Sequence, residues 1–533
     1  MNKNQFPEID RKTCLTFDNK CMKLLGVQQL ITFIGDNKFL LIYLVVLSVI
    51  AYGGDLTHFS LTIDEELYVT KAGPDIAWLQ QERWGMYLVN WVFFPNPIMP
   101  FFPLFFTLIC TAFSFVIIAR MLSPQKTYAD YVAAPLYVAF PILYYIYTFY
   151  TINFGIGFAF LSAAISMYIF VSNKRRLYIL SLLLASFSIG IYQAMSLWLV
   201  ALFLIYVVMQ ILKEKEAVSS KRLLSLLRNF FVFIILAHLI YFLIEHLFLF
   251  IFKTENNSYI DKIVSVTFTM NYWTSTLSNL FLELRRYYFS QNSNNYLGTH
   301  YVLTCLFVIP LLISFYLILR SKKNYFIKAL GIITIFFIPI IPFGINLLSN
   351  GYTPAPRLLI ALPLVFGGLV YFAWQINLKT IRLLLIVLVA IYTYNSIVIN
   401  TKLAFSNYLS WQADQGLTVR LLSRLDANRP LISPENLNHQ IPLIVNGYYN
   451  RPPSELMLKK DTIGSSFYFW DLGNPKRVIS LMKTMGVYEY AVASAEQKES
   501  LKDYIKKMPT WPNLGSVAFK NGIAIINFGV PKN

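Results

Sequence analysis

The sequence predicts an α-helical protein that crosses a membrane many times and ends in a small extracytoplasmic α/β domain. Hydrophobic residues make up 56% of the 533 residues. Charged residues make up only 14%, whereas soluble domains average about 25%. Long apolar segments recur up to about Asn400, where the composition changes to that of a soluble domain. These observations predict a polytopic membrane region at residues 39–399 and a soluble tail at residues 400–533.

About eleven segments are long and apolar enough to cross the roughly 30 Å hydrocarbon core of a bilayer as helices. They are Phe39–Phe59 and residues 100–119, 132–149, 153–171, 177–191, 192–212, 229–252, 301–319, 327–347, 358–374 and 382–399. In the preceding residues 1–38, apolar side chains fall at helical spacing from Lys23 to Ile34. That spacing predicts an interfacial amphipathic helix.

Leu177–Leu212 is about 54 Å long as one helix, at about 1.5 Å per residue, which is too long for a single crossing. We therefore expect two short helices broken around Gly190-Ile191-Tyr192-Gln193. The alternative is one crossing, which would move every later loop to the other side of the membrane.

The distribution of basic residues predicts the orientation. The amino terminus and alternate loops hold 22 Lys and Arg residues, and the opposite loops hold 7. Basic residues stay on the cytoplasmic side, so the net charge of +18 does not indicate a nucleic-acid partner. The amino terminus is therefore predicted to be cytoplasmic, and the first external loop (residues 54–99) and the tail to lie outside.

In the tail, helical and strand patterns alternate, which predicts a small α/β domain. The predicted helices are Leu417–Leu425, Asn474–Met485 and Ala495–Lys507, and the predicted strands are Ile441–Asn446, Tyr488–Ala493 and Ile523–Phe528. No phosphate loop, dinucleotide fingerprint or zinc pattern occurs in the sequence of the tail. We expect the tail to contact substrate or to brace the outer face; a purely structural cap is the alternative.

The first external loop is acidic, with six acidic and two basic residues between Gly54 and Met99. Asp64, Glu65 and Glu66 are consecutive, and three neighbouring carboxylates that lose water have raised pKa values. Such a cluster indicates acid–base chemistry, although a solvated acidic turn is the alternative. In an extended loop, Asp64 and Glu66 would point to one side and Glu65 to the other.

Three further external features are candidates for substrate binding. Arg83 and Trp84 offer a cation for phosphate and an aromatic face for sugar, unless they form an interfacial belt. Tyr192 and Gln193 lie at the predicted helix break, where irregular backbone is tolerated beside a polar cavity; a plain turn is the alternative. The third is the proline-rich turn with Tyr352 and Arg357, whose cation at a helix start suits a lipid phosphate.

Ionisable residues elsewhere complete the set of candidates. Arg285 and Arg286 end an external loop, where an amphipathic helix on the outer leaflet is the alternative. Glu245 and His238 share a helix face, so either they bond to each other or Glu245 reaches the outer cavity. We predict no metal site.

On these residues the chain resembles the GT-C superfamily of polyprenyl-phosphate-sugar glycosyltransferases. More narrowly, it resembles the serotype-converting O-antigen glucosyltransferases of phages and genomic islands (the Gtr type). The layout fits from about Phe39 to Asn400, and the matching stretches are Ile63-Asp64-Glu65-Glu66-Leu67 with Arg83-Trp84-Gly85, Tyr192-Gln193, and Arg357 with its proline-rich approach.

The resemblance implies a bacterial inner-membrane enzyme that moves glucose from undecaprenyl phosphate to O-antigen of lipopolysaccharide on the periplasmic side. A donor-lipid synthase and a flippase would supply the donor, and no cofactor would be required. Where the family pattern has two aspartates before a glutamate, this chain has Asp64-Glu65-Glu66, so the division of labour among the three stays open. Asp64 is the first choice for the base because the superfamily most often uses an aspartate here, and Glu66 is the second choice.

Other functions fit the same layout. One is another GT-C reaction, such as mannosyl or aminoarabinose transfer or O-antigen ligation. A flippase for lipid-linked oligosaccharides would carry charges deep in a central cavity, whereas this chain concentrates them at the outer rim. A structural membrane protein would leave the three acids unexplained.

Overall fold

The computed structural model describes residues 27–69, 71, 73–93, 98–172, 175–213, 219–256, 269–289, 297, 300–347, 355–429, 440–452, 454–459 and 461–529. The predicted interfacial helix therefore lies partly outside the described residues. From Val27 it continues without a break into the first predicted span, because both belong to one helix, Val27–Thr57.

The described chain is mostly helical. Up to the tail, its helices are α1 (Val27–Thr57), α2 (Ala77–Gln80), α3 (Trp84–Phe93), α4 (Phe102–Leu122), α5 (Tyr128–Val138), α6 (Tyr144–Tyr147), α7 (Tyr150–Val171), α8 (Tyr178–Ile191), α9 (Met195–Lys213), α10 (Ser220–Phe252), α11 (Met270–Tyr288), α12 (His300–Arg320), α13 (Tyr325–Phe337), α14 (Leu362–Ala373) and α15 (Lys379–Asn428).

Eight described helical segments are long and apolar enough to cross a membrane, and one of them, Tyr128–Tyr147, consists of α5, α6 and the turn between them. The number is nine if α13 and the following turn Ile341–Leu347, bent by 65°, form one span. Two predicted spans correspond to the shorter helices α8 and α14, with 14 and 12 residues. A helical membrane-type architecture is thus supported, while the count of eleven stays a prediction.

The predicted break in 177–212 is confirmed, since α8 ends at Ile191 and α9 begins at Met195. Two glycines let α3 cross α8 at this break. A Cβ atom on Gly85 would lie 2.7 Å from the backbone nitrogen of Ile191, and one on Gly190 would lie 2.5 Å from the Trp84 ring. Gly85 is therefore a helix-packing residue. Its close contact holds the start of α3 beside Tyr192.

Helix α15 is 50 residues long and extends from the last predicted span into the tail. The predicted domain boundary at residue 400 lies inside this helix, which at about 1.5 Å per residue is roughly 75 Å long. The change in amino-acid composition near residue 400 thus marks the point at which the helix leaves its apolar surroundings. The helix itself continues there without a break.

The tail contains β1 (Ile441–Gly447), α16 (Pro475–Thr484), β2 (Tyr490–Val492), α17 (Ala495–Ser500), α18 (Lys502–Lys507), β3 (Val517–Lys520) and β4 (Ile523–Gly529). Its sheet has the order β2-β1-β4-β3, in which β1 is parallel to β2 and β4, and β3 is antiparallel to β4. The predicted strands are confirmed, whereas β3 was not predicted because it has only four residues, one of them buried, and carries little periodic signal.

The tail packs directly on the first external loop. Leu61 and Ile63 of the loop are buried in the hydrophobic core of the tail, together with Trp411, Phe467 and Tyr468. Removing such side chains from water contributes roughly 1.5–3 kcal/mol each. The tail therefore fixes the position of the three acids that follow Ile63.

Candidate active site

The acid cluster (Asp64, Glu65 and Glu66) lies on a short, irregular turn. Asp64 has a left-handed backbone conformation with φ of 86°, and Glu65–Leu67 form a single 3-10 turn after it. Aspartate tolerates this conformation better than most residues because its short side chain bonds locally. The backbone is thus neither fully extended nor α-helical, yet it places Asp64 and Glu66 on the same side.

Glu65 points in the other direction, into the protein. It is 1% exposed, and its two oxygens accept hydrogen bonds of 3.0 Å from the backbone N–H groups of Thr62 and Thr151. Burial raises the pKa of Glu65 to about 8. Glu65 is therefore largely protonated at neutral pH and joins the loop to the start of α7.

Asp64 and Glu66 meet at Arg477 from the tail. The guanidinium of Arg477 donates hydrogen bonds of 2.6 Å to Asp64, Glu66 and Asp471. The Glu66 side chain is fully buried, whereas the Asp64 side chain is 50% exposed. Of the two carboxylates, Asp64 is thus the one that an incoming hydroxyl can reach.

The environment of Glu66 favours its neutral form. Burial raises the pKa of Glu66 to about 7, although the positive charge of Arg477 opposes the shift. Its second oxygen is buried without a hydrogen-bond partner among the described residues. Since Glu66 gains and loses a proton near neutral pH, its charge can change the strength of its ion pair with Arg477.

Arg477 was not predicted from the sequence. It is one of 16 basic residues in the tail and lies 411 positions after Glu66, so no local pattern connects the two. The tail was expected to contact substrate or to act as a cap; instead it contributes a charged group to the acid cluster.

We expect Arg477→Gln to destabilise the packing of the tail on the first loop. Glu66 would lose its hydrogen-bond partner while remaining buried, and a buried polar group without a partner costs roughly 1–3 kcal/mol. The expected result is a lower midpoint of thermal unfolding of the full chain in detergent. Lys502→Gln, which breaks an exposed pair with Glu499, should leave the midpoint unchanged. An unchanged midpoint for Arg477→Gln would contradict this prediction.

A second group of residues surrounds Arg83. Its guanidinium carbon lies 5.2 Å from the centre of the Tyr192 ring and 5.8 Å from that of Trp78, and Nε donates to Gln193 Oε1 at 3.4 Å. Arg83 forms no ion pair with any carboxylate in the part of the chain that the structure describes. Burial lowers the pKa of Arg83, and nearby Arg357 lowers it further.

Arg357 completes this group, which we call the arginine pocket (Arg83, Tyr192, Gln193 and Arg357). It lies on a single 3-10 turn that Pro356 begins, and its backbone carbonyl accepts a bond from the Tyr192 hydroxyl at 3.1 Å. Its guanidinium pairs with Asp461 of the tail at 3.2 Å. Two arginines beside each other, one of them without a carboxylate partner in the described residues, form a site suited to an anion such as phosphate.

Tyr68 connects the acid cluster with the arginine pocket. Its ring stacks on Trp78 at 5.9 Å between centres, and Trp78 in turn contacts Arg83. Burial raises the pKa of Tyr68 to about 12; Asp75 and Asp64 raise it as well, while Arg83 lowers it. The same side chain is therefore within electrostatic reach of both groups.

Other predicted site residues lie elsewhere. Trp84 is 4% exposed and packs on Gly190, Phe187 and Phe248, so this ring is not available for stacking on a sugar. The residue Tyr352 lies outside the described residues. The aromatic residue that the sequence offered as a sugar-stacking candidate therefore serves in helix packing.

The remaining ionisable candidates form their own contacts. His238 bonds to Ser196 at 3.0 Å and Glu245 accepts from Asn256 at 3.1 Å, so these two residues are not bonded to each other. Arg286 pairs with Glu283 at 2.5 Å on α11, and Arg285 is exposed on the same helix. Among the described residues, no three His, Cys, Asp or Glu side chains are grouped closely enough to hold a metal ion.

Comparison with known proteins identifies one family. A family model described as Glucosyl transferase GtrII matches residues 55–373, which include the acid cluster and the arginine pocket but not Asp461 or Arg477. No curated protein and no solved structure matches the chain.

Proposed function

The chain belongs to the glucosyl transferase GtrII family, and from that premise we propose that it glucosylates O-antigen polysaccharide at the periplasmic face of the bacterial inner membrane. The proposed donor is undecaprenyl-phosphate-glucose. The observation that carries this proposal is the arginine pocket, in which Arg83 has no carboxylate partner among the described residues and lies beside Arg357. A lipid phosphate would supply the missing negative charge.

The acid cluster supplies the other half of the proposed reaction. The acceptor hydroxyl oxygen attacks C1 of the glucose, and the hydroxyl proton passes to the carboxylate of Asp64. The bond between C1 and the phosphate oxygen breaks, and its electron pair leaves with undecaprenyl phosphate, whose charge Arg83 and Arg357 stabilise. A single displacement of this kind inverts the anomeric centre.

Glu66 and Arg477 act on Asp64 in this scheme. Arg477 contacts both carboxylates, so the charge of Glu66 determines how strongly Arg477 pairs with Asp64, the proposed base. A stronger pair with Arg477 makes Asp64 less able to accept a proton. Glu65 is a positioning residue that holds the turn against α7.

The proposed setting follows from the charge distribution and the family. We place the amino terminus in the cytoplasm and the tail in the periplasm, on a GT-C-like membrane region surrounded by lipid. A synthase would form the donor lipid, and a flippase would turn its sugar outwards. The chemistry uses the leaving-group ability of lipid phosphate and requires no cofactor.

The function is tested by analysing surface polysaccharide and lipid A from cells with and without the protein. We expect a side-branch glucose on the O-antigen only when the protein is present. Cells that carry an empty vector are the control. Unchanged polysaccharide together with an altered lipid A would contradict the proposal and favour transfer of aminoarabinose.

A further inference from the structure

A cavity of about 470 Å³ lies between the first external loop and the tail. Tyr68 and Lys71 line it from the loop, and Gln440, Lys476, Ser480 and Lys483 line it from the tail. We call this cavity the lysine groove. Its volume lies within the range of about 300–1,000 Å³ that ligand pockets occupy.

The charge of the lysine groove is entirely positive. Three lysines line it, and no acidic side chain is among its lining residues. Lys71 pairs with Asp75, whereas Lys476 and Lys483 form no ion pair with the other described residues. These two are seven positions apart on α16 and therefore lie on one face of that helix.

The uncharged lining is mixed: Leu67, Ile479, Ala491 and Val492 are apolar, and three other residues carry polar groups that suit a hydroxyl-rich ligand. Gln440 and Ser480 offer an amide and a hydroxyl, and Tyr68 offers a phenol. These groups can both donate and accept hydrogen bonds. A purely apolar ligand such as a lipid chain would leave them without partners, which is costly.

The groove adjoins the acid cluster. Arg477 directly follows Lys476 on α16 and donates to Asp64 and Glu66, while Lys476, Ser480 and Lys483 line the groove. Leu67 and Tyr68 line the groove from the turn that carries the acids. The groove thus borders the turn that carries Asp64 and the helix that carries its partner Arg477.

We propose that the lysine groove binds an anionic segment of the acceptor polysaccharide, in which sugars carry carboxylate or phosphate groups. Lys476 and Lys483 contact the negative groups, and Gln440 and Ser480 contact hydroxyls. Binding there places an acceptor hydroxyl within reach of Asp64. This inference rests on the proposed function, since it assigns the acceptor of the same reaction.

The test measures binding and transfer separately, with the full chain in lipid nanodiscs. The probe is fluorescently labelled polysaccharide from the surface of the cells that produce the protein. It is used intact, after chemical reduction of its carboxylates, and after removal of its phosphates. The double variant Lys476→Gln/Lys483→Gln is compared with Lys498→Gln/Lys507→Gln, which removes the same charge from exposed positions outside the groove.

We expect the groove variant to bind intact polysaccharide at least about tenfold more weakly and to raise the KM for acceptor similarly, because charge-assisted bonds are lost. The KM for donor should stay unchanged, and the control variant should match the wild type. One of the two treatments, carboxylate reduction or phosphate removal, removes the negative charge that the groove recognises. That treatment should weaken binding to the wild type and leave binding to the groove variant unchanged.

Different failures point to different conclusions. If the wild type transfers glucose but the groove variant keeps its affinity and its KM for acceptor, the groove proposal is overturned and the proposed function stands. Equal binding of all three forms of the polysaccharide, or none, also overturns it. If polysaccharide binds through the lysines but no glucose is transferred, the proposed function fails and the groove remains a polysaccharide site.

Discussion

Asp64→Asn is expected to reduce glucosyl transfer by roughly 100-fold or more, the usual contribution of a general base. The substitution removes a negative charge with almost no change in volume, and the Asp64 side chain is half exposed, so the protein should still fold. The loss should appear in kcat because proton removal occurs in the transition state. Transfer is measured with labelled donor lipid and purified acceptor.

Glu66→Gln should cause a loss of similar size for a different reason. Glu66 is fully buried and shares Arg477 with Asp64, so its neutral replacement would leave Arg477 to pair more strongly with the proposed base. Glu65→Gln should lose less activity, because burial raises the pKa of Glu65 to about 8 and the native side chain is already mostly neutral at pH 7.

The pH dependence separates these roles. Burial raises the pKa of Glu66 to about 7, so lowering the pH through 7 protonates this carboxylate and removes its charge from Arg477. We expect wild-type transfer to fall over that range and the inflection to be absent in Glu66→Gln.

If Asp64→Asn, Glu65→Gln and Glu66→Gln all keep near-normal rates of transfer, the acid cluster is not the active site and the transferase mechanism loses its base.

Local sequence predicted the parts of the site whose signal is local. Three consecutive acids after an apolar residue were recognisable as a cluster, and their alternation correctly separated Glu65 from Asp64 and Glu66. The break at Tyr192 was also predictable, because an uninterrupted helix would be too long for one crossing.

Contacts between distant segments were not predictable from one sequence. Asp461 meets Arg357 across 104 positions, and Arg477 meets Glu66 across 411 positions. Neither Asp461 nor Arg477 belongs to a recognisable motif. The sequence does not distinguish a charged residue that forms an ion pair from one that does not. Similarly, nothing in the local pattern distinguishes Trp84, whose ring packs on Gly190, from an exposed aromatic residue that could stack on sugar.

The arginine pocket provides the second large effect. Arg83→Gln is expected to lower kcat/KM for the donor by about 100-fold to 1,000-fold, the range for losing one donor that stabilises developing charge in the transition state. Arg357→Ala should have a smaller effect because Arg357 already pairs with Asp461, which neutralises part of its charge. Lysine at either position should restore activity only in part, since it keeps the charge but loses the planar fork, which at Arg83 lies over the Tyr192 ring and at Arg357 over the Phe149 ring.

The same variants distinguish a donor site from a structural role. In the wild type, undecaprenyl phosphate without sugar should raise the midpoint of thermal unfolding, because it binds the folded protein. Arg83→Gln should abolish this shift and leave the KM for acceptor unchanged. Arg420→Gln, which removes an exposed arginine from the tail, should behave as the wild type. Equal losses for donor and acceptor, with the lipid-dependent shift intact, would mean that Arg83 supports the fold and that the lipid phosphate binds elsewhere.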